Sequence, residues 1–190
     1  MTLAARQGVV DHRGVPHTAD EIQIRPIRPA DADRLVAFHE GLSSRTKELR
    51  FFTPHPHLSA AEVHHFTAVD HHTVEALLAF AGDQLVGVAR FGVLHDPVAA
   101  EVAFVVTDGW QGRGVGRLLF EALADRAREE GIHRFVAETL EGNAPMIGLF
   151  RTAGLDVREE QELGRVEFVL LLHDTSHEPL PHRRHGTPPT

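Results

Sequence analysis

The feature that most constrains this sequence is a glycine-rich turn that joins a strand pattern to a helix pattern. Residues 111–116 read QGRGVG. The apolar run at 99–107 predicts a buried strand, and an amphipathic helix pattern begins at Val115. Glycines let backbone N–H groups approach an anion closely, and the positive end of the helix dipole lies beside them. The turn therefore predicts a phosphate or pyrophosphate site, with Arg113 and Arg117 as further cations. On the local pattern alone, an ordinary turn is an equal alternative.

Several other classes of site do not fit the sequence. The turn follows a fourth strand instead of opening a repeated βαβ unit, and no GK[ST] motif occurs, which disfavours dinucleotide and Walker sites. The absence of cysteine excludes disulfides, thiolate metal sites and a cysteine nucleophile. A net charge of -8 argues against a nucleic-acid partner. The adjacent His64 and His65 would point apart on a helix, so no metal site is predicted.

The organisation of the chain is simple. Its 190 residues have the length of one domain. We expect a flexible arm at 1–20, one patterned domain at 21–173 and a disordered tail, rich in proline and histidine, at 174–190. The amino-terminal segment lacks the apolar core of a signal peptide, and no apolar run is long enough to span a membrane. We therefore expect a cytoplasmic protein without a membrane partner.

The order of patterns along the domain indicates its fold class. It is strand, two or three helices, three strands, helix, strand, helix and two strands. A capping-box pattern at 59–62 predicts the start of a third helix, and Gly82 with Asp83 predicts a hairpin. Gly131 and Gly154 predict helix ends. The chain should therefore form an α/β (α+β) fold, a mixed sheet with helices packed on it.

Two blocks of this domain together resemble the GNAT superfamily of N-acetyltransferases. Gln111, Gly114 and Gly116 resemble its acetyl-CoA signature, and Asn143 with the segment 149–155 resembles its second conserved block. The resemblance covers roughly residues 21–172. It implies a mixed, mostly antiparallel sheet of about seven strands flanked by helices.

Within that superfamily, the segments 24–31, 42–45, 49–52 and 100–104 resemble the bacterial protein lysine acetyltransferases. The resemblance therefore implies transfer of an acetyl or short acyl group from acyl-CoA to a primary amine. A protein lysine is the implied acceptor, for example on an acyl-CoA synthetase. An acidic surface would suit a cationic acceptor, although it also aids solubility.

The resemblance also implies which residues bind acetyl-CoA. In the family, the strand before the turn splays from its neighbour, and its free backbone groups bind the pantetheine arm; here they belong to Phe104, Val105 and Val106. Asn143 would contact the same arm or cap a helix. The amides of the turn would hold the pyrophosphate, and the residues concerned are Gln111, Gly112, Arg113, Gly114, Val115, Gly116 and Arg117.

Acyl transfer requires a neutral amine, so a carboxylate base is expected. Glu101 is the first candidate, because a charge is unusual inside an apolar strand and its position matches the glutamate base implied by the resemblance; an ordinary surface glutamate is the alternative. Glu138 on the next strand is the second candidate, as a base or as the partner of a basic residue.

Many family members carry a tyrosine that protonates the leaving thiolate, and Phe150 stands at that position. The sequence has no tyrosine, so we expect Phe150 to pack on the cofactor.

Three functions remain open from the sequence. The first is acetylation of a protein lysine by direct attack of the amine on acyl-CoA, without a covalent enzyme intermediate or a metal. The second is acetylation of a small amine or a protein N-terminus. The third is a non-catalytic acyl-CoA-binding sensor, which the missing tyrosine makes conceivable. The oligomeric state is also left open.

Overall fold

The computed structural model describes residues 22–172. The predicted arm and tail lie outside the described residues. The strands are β1 (Ile22–Pro26), β2 (Val74–Ala81), β3 (Gln84–Val93), β4 (Ala99–Val106), β5 (Arg134–Leu140), β6 (Asp156–Glu162) and β7 (Arg165–Leu171). The helices are α1 (Ala32–Glu40), α2 (Ser44–Phe51), α3 (Ala60–Thr67), α4 (Val115–Glu129) and α5 (Ala144–Arg151), with short 3-10 turns at Pro29–Asp31 and Asp108–Trp110.

In this part of the chain, seven strands form one sheet in the order β1-β2-β3-β4-β5-β7-β6. Only β4 and β5 run parallel, and the other neighbours are antiparallel. The predicted fold class, a mixed and mostly antiparallel sheet of about seven strands, is confirmed. None of the helices within residues 22–172 is long and apolar enough to cross a bilayer.

One face of the sheet carries α4 and α5. The apolar stripe of α4 is buried against β2, β3 and β4, and Leu119 and Leu123 have no exposed surface. Burial of each such leucine contributes about 1.5–3 kcal/mol. Gly87 on β3 allows the close approach of the helix, since a Cβ there would lie 2.8 Å from Leu119 Cδ1. The core therefore holds α4 against β3, the strand next to β4. The glycine-rich turn, which directly precedes α4, is held in place with it.

The opposite face of the sheet carries α1, α2 and α3. A second core joins α1 and α3 to the sheet, and its buried members include Ile27, Leu35, Phe38 and Leu78. Local caps start two of these helices. Ser43 accepts a hydrogen bond from Thr46 N, and Ser59 forms the predicted capping box with Glu62.

The edge strand β6 is longer than its sequence pattern indicates. Its pattern predicts a strand that ends at Glu159, whereas pairing with β7 continues through Glu160, opposite Glu167, to Glu162, opposite Arg165. These side chains are charged and exposed, so they carry no apolar alternation. The neighbouring strand, not the local pattern, sets this boundary.

Candidate active site

The site begins where β4 and β5 separate. The two strands pair only at the start of β4, from Ala99, opposite Arg134, to Glu101, opposite Val136. Beyond this point they diverge around a cleft of about 380 Å³. We call it the central cleft; its lining includes β4 from Glu101 to Val106, the glycine-rich turn, β5 at 137–139, α2 and the start of α5. Predicted site residues from different elements meet here, among them Glu101, Phe104, Val106, Gln111, Gly116, Glu138 and Asn143.

The register of β3 against β4 decides which backbone groups of β4 face this cleft. Thr107 N donates to Val86 O at 2.9 Å. Because hydrogen-bonded pairs alternate in an antiparallel ladder, Val105 directs its backbone groups to β3, while Phe104 and Val106 direct theirs toward the cleft. The expectation that all three residues offer free backbone groups is therefore wrong for Val105. Val105 is nevertheless among the residues that line the cleft.

The glycine-rich turn has the backbone conformation of an anion site. Gly112 and Gly114 have φ of 71° and 86°, which favour glycine. The first intrahelical hydrogen bond of α4 runs from Leu118 N to Gly114 O at 3.0 Å, so the preceding amides have no partner in the helix. No acidic residue occupies this first turn. The side chain of Val115 is buried in the core, so only its backbone is available to an anion.

Gln111 ties the turn to β4 and α2. Its Nε2 donates to Val106 O at 3.0 Å and to Thr46 Oγ1 at 3.2 Å. Asp108 joins the same network by accepting hydrogen bonds from Ser43 Oγ at 2.6 Å and Thr46 Oγ1 at 2.7 Å. Burial opposes ionisation of Asp108, but these hydrogen bonds outweigh it and lower its pKa. The network ties α2 to the turn, and sequence reasoning missed Asp108 and Thr46.

The two arginines of the turn already contact protein groups. The guanidinium of Arg113 lies 5.3 Å from the ring centre of Trp110. Arg117 donates to Glu121 Oε1 at 2.8 Å and to Thr152 O at 3.2 Å. The turn therefore offers helix amides as its principal anion donors, with the arginines as flanking charges.

Asn143 caps α5, which is one of the two roles expected for it. Its Oδ1 accepts from Met146 N at 3.4 Å, and its Nδ2 donates to Thr139 Oγ1 at 2.9 Å. The residue is buried and lines the cleft. Its side chain orients the start of α5, which forms one wall of the cleft.

Phe150 forms part of the aromatic core beneath the cleft. It is 1% exposed, and its ring centre lies 6.1 Å from Phe104 and 5.1 Å from Phe168. Phe150 is also among the residues that line the cleft. The residue thus combines core packing with a place at the cleft.

The two candidate bases lie on the same face of the sheet, which is opposite to the aromatic core. Glu101 is exposed, and no hydrogen bond or ion pair engages its carboxylate within the described residues. Glu138 forms an ion pair with Arg165 at 2.6 Å, which agrees with the expectation that it could be the partner of a basic residue. Arg50 of α2 also lines the cleft; burial lowers its pKa, and the charge of Glu101 opposes that effect. Glu101 is therefore the carboxylate that is available at the mouth of the cleft.

Comparison with known proteins identifies the family. A sequence model of the acetyltransferase (GNAT) family matches residues 42–155. The chain belongs to this family. The expected superfamily is confirmed.

Individual relatives agree with this assignment. The chain is 33% identical over 147 residues to acetyltransferase Pat of Mycolicibacterium smegmatis, covering 75% of this chain and 44% of that protein. It thus spans less than half the length of this curated relative. The GNAT domain of S. lividans PAT superposes with a TM-score of 0.75 and 40% identity, covering 79% of this chain and 90% of that one. The yncA protein of Salmonella typhimurium, solved with acetyl-CoA, has a TM-score of 0.64, 20% identity and coverage of 84% and 99%, and supports the fold.

Proposed function

We propose that this GNAT domain transfers an acetyl or short acyl group from acyl-CoA to the side-chain amine of a protein lysine, with Glu101 as the general base. The observation that carries the proposal is an unengaged carboxylate on β4, at the point where β4 and β5 separate. The resemblance to bacterial protein lysine acetyltransferases, and the similarity to acetyltransferase Pat, support the choice of acceptor.

The cleft fits an acyl-CoA donor. The amides at the start of α4 can hold the pyrophosphate, and the backbone groups of Phe104 and Val106 can pair with the amides of the pantetheine arm. A backbone N–H of β4 that no pantetheine group occupies is the donor that we assign to the thioester oxygen, on which negative charge develops during transfer. These protein groups therefore match the chemistry of an acyl-CoA donor, and the proposed binding requires no metal ion.

Acceptor and donor reach the reaction from opposite sides. The side chain of Glu101 lies on the face of the sheet that carries α2, away from Phe104 and Phe150. At pH 7 only about one lysine in a few thousand is neutral, because its pKa is about 10.4. Glu101 accepts the proton, directly or through water, and the neutral amine attacks the thioester carbon. The carbon–sulfur bond then breaks, the nitrogen, which became cationic on attack, loses its second proton to water, and the thiolate of CoA takes a proton from solvent.

The test replaces Glu101 with Gln and uses Glu138→Gln as the matched control. Loss of the base should lower kcat by about 10²- to 10⁴-fold and leave CoA binding unchanged, whereas Glu138→Gln should keep most of the turnover. The assay measures free-thiol release from acetyl-CoA with acyl-CoA synthetases, other proteins, peptides and small amines as acceptors. Unchanged turnover in Glu101→Gln would refute the base assignment.

The acceptor panel separates the other interpretations. Thiol release only with a small amine or a peptide N-terminus would replace the lysine proposal with that acceptor. Tight CoA binding without release for any member of the panel would favour a non-catalytic sensor.

A further inference from the structure

A second, smaller cavity lies beside the central cleft, between the sheet and helices α1, α2 and α3. We call it the helix-side cavity, and its volume is about 50 Å³. Most of its walls are apolar, but His39, Arg50 and Arg90 also line it. Arg50, Ala103 and Val105 line both the cavity and the central cleft, so the two spaces adjoin at these residues.

Two residues that line the cavity have buried polar atoms without a hydrogen-bond partner in the described part of the chain. Nη1 of Arg90 is buried and has no hydrogen-bond partner among the described residues, although its Nη2 lies 3.0 Å from His65 Nε2. His39 is 3% exposed, and neither of its ring nitrogens has a partner within residues 22–172. An unsatisfied buried donor costs free energy, so such groups indicate a polar ligand.

The charges in the cavity indicate the sign of that ligand. Burial and the positive charge of Arg90 lower the pKa of Arg50 to about 10, while Glu101 opposes this effect. Burial also lowers the pKa of Arg90. In the described part of the chain, no ion pair joins either guanidinium to a carboxylate. The two guanidinium groups repel one another, and Glu101 offsets this only for Arg50 and without an ion pair, so a bound carboxylate would stabilise both.

The sheet register places Arg90 and the proposed base on neighbouring positions of one face. Arg90 pairs with Ala103, and Glu101 is two residues along β4 on the same face. The Cα atoms of such a diagonal pair are about 7–8 Å apart. This proximity allows one acceptor to present its amine to Glu101 and a carboxylate to Arg90.

We infer that the helix-side cavity binds a carboxylate of the acceptor, held by Arg90, Arg50 and His39, while the acceptor amine lies at Glu101. This inference rests on the proposed function. One buried water needs about 10–15 Å³, so the cavity has room for a group of a few heavy atoms, which is the size of a carboxylate. The carboxylate has two sources: an acidic side chain close to the lysine in a protein, or the α-carboxylate of free lysine.

The test compares acceptors that differ only in this charge. Lysine peptides with Glu or Gln at each of the two positions on either side of the lysine address the first source, and lysine against lysine amide addresses the second. Thiol release from acetyl-CoA should give a kcat/KM about tenfold to a hundredfold higher for the carboxylate-bearing member of one set. The preference should disappear in Arg90→Gln and in Arg90→Met, which retains the apolar stem, and persist in Arg158→Gln, a surface control on β6.

The outcomes distinguish this inference from the proposed function. Equal kcat/KM for all pairs in the wild type, or a preference that survives in both Arg90 variants, would overturn the carboxylate site while leaving acyl transfer intact. If no acceptor releases thiol, the proposed function fails. In that case, calorimetry decides the inference. The CoA-loaded protein is titrated with the acetylated forms of the same peptides and of lysine and lysine amide. The form with the carboxylate must bind with the lower Kd.

Discussion

Replacing Asp31 with Asn tests the anchor that joins β1 to α1. Asp31 is almost fully buried, and its carboxylate accepts hydrogen bonds from Arg25 Nη1 at 2.7 Å, Arg25 Nη2 at 2.6 Å and Arg28 N at 2.9 Å. The hydrogen bonds from Arg25 lower the pKa of Asp31 from 3.8 to about 2. Burial opposes this shift, and the hydrogen bond from Arg28 N–H adds to it. At about 1.4 kcal/mol for each pH unit, the ionised carboxylate contributes about 2 kcal/mol at pH 7.

The sign of this effect defines its pH dependence. Because the folded state lowers the pKa, the contribution is complete well above 3.8 and is lost as the pH falls through about 2. We expect Asp31→Asn to lower the free energy of unfolding by about 2 kcal/mol at pH 7, and by about half as much at pH 3. The corresponding decrease in Tm is roughly 4–8 °C for a domain of this size.

Urea unfolding of the wild type and the variant, followed by circular dichroism between pH 7 and pH 3, measures both quantities. Glu48→Gln is the control, because Glu48 pairs with Arg45 at 3.0 Å and both side chains are about half exposed. Its effect should stay below about 0.5 kcal/mol. A difference for Asp31→Asn that is equally small at pH 7, or one that does not decrease toward pH 3, would refute the reasoning.

Two further variants test the geometry of the cleft. Asp108→Ala removes the acceptor of the Ser43 and Thr46 hydrogen bonds. We expect kcat/KM to fall and the free energy of unfolding to decrease by about 1–2 kcal/mol. Thiol release and urea unfolding measure these two effects, and Asp125→Ala is the control. Gly114→Ala places a Cβ at φ of 86°, which costs about 1–2 kcal/mol and should weaken CoA binding in calorimetry. Gly109→Ala, which has open space around it, should leave CoA binding unchanged; equal binding by both glycine variants would contradict the role of the turn.

Much of the fold could be predicted because its signals are local. Ser59 and Glu62 lie three residues apart and cap α3 by themselves, and Gly82 supplies the positive φ of the hairpin. The apolar stripe of α4 repeats at helical spacing and becomes its buried face. Such features depend on a few neighbouring residues, so the sequence displays them directly.

The candidate site was predictable only in part. Glu101 was noticed because it interrupts an apolar strand, and the glycine-rich turn has a local motif. Arg50 and Arg90 give no such signal, because they are ordinary basic residues that only packing of α2 against the sheet brings to one cavity. Asp108 likewise contacts Thr46, which is 62 residues away along the chain.

The sequence by itself determined the order of helices and strands, the glycine conformation of the turn and the resemblance to the GNAT superfamily. Only the tertiary structure decided that Phe104 and Val106, but not Val105, face the cleft with their backbone groups. It also decided that Arg165 pairs with Glu138 while Glu101 is left unengaged within the described residues. The physical reason is that periodicity and turn chemistry act over a few residues, whereas strand register and charge pairing depend on which distant segments pack together.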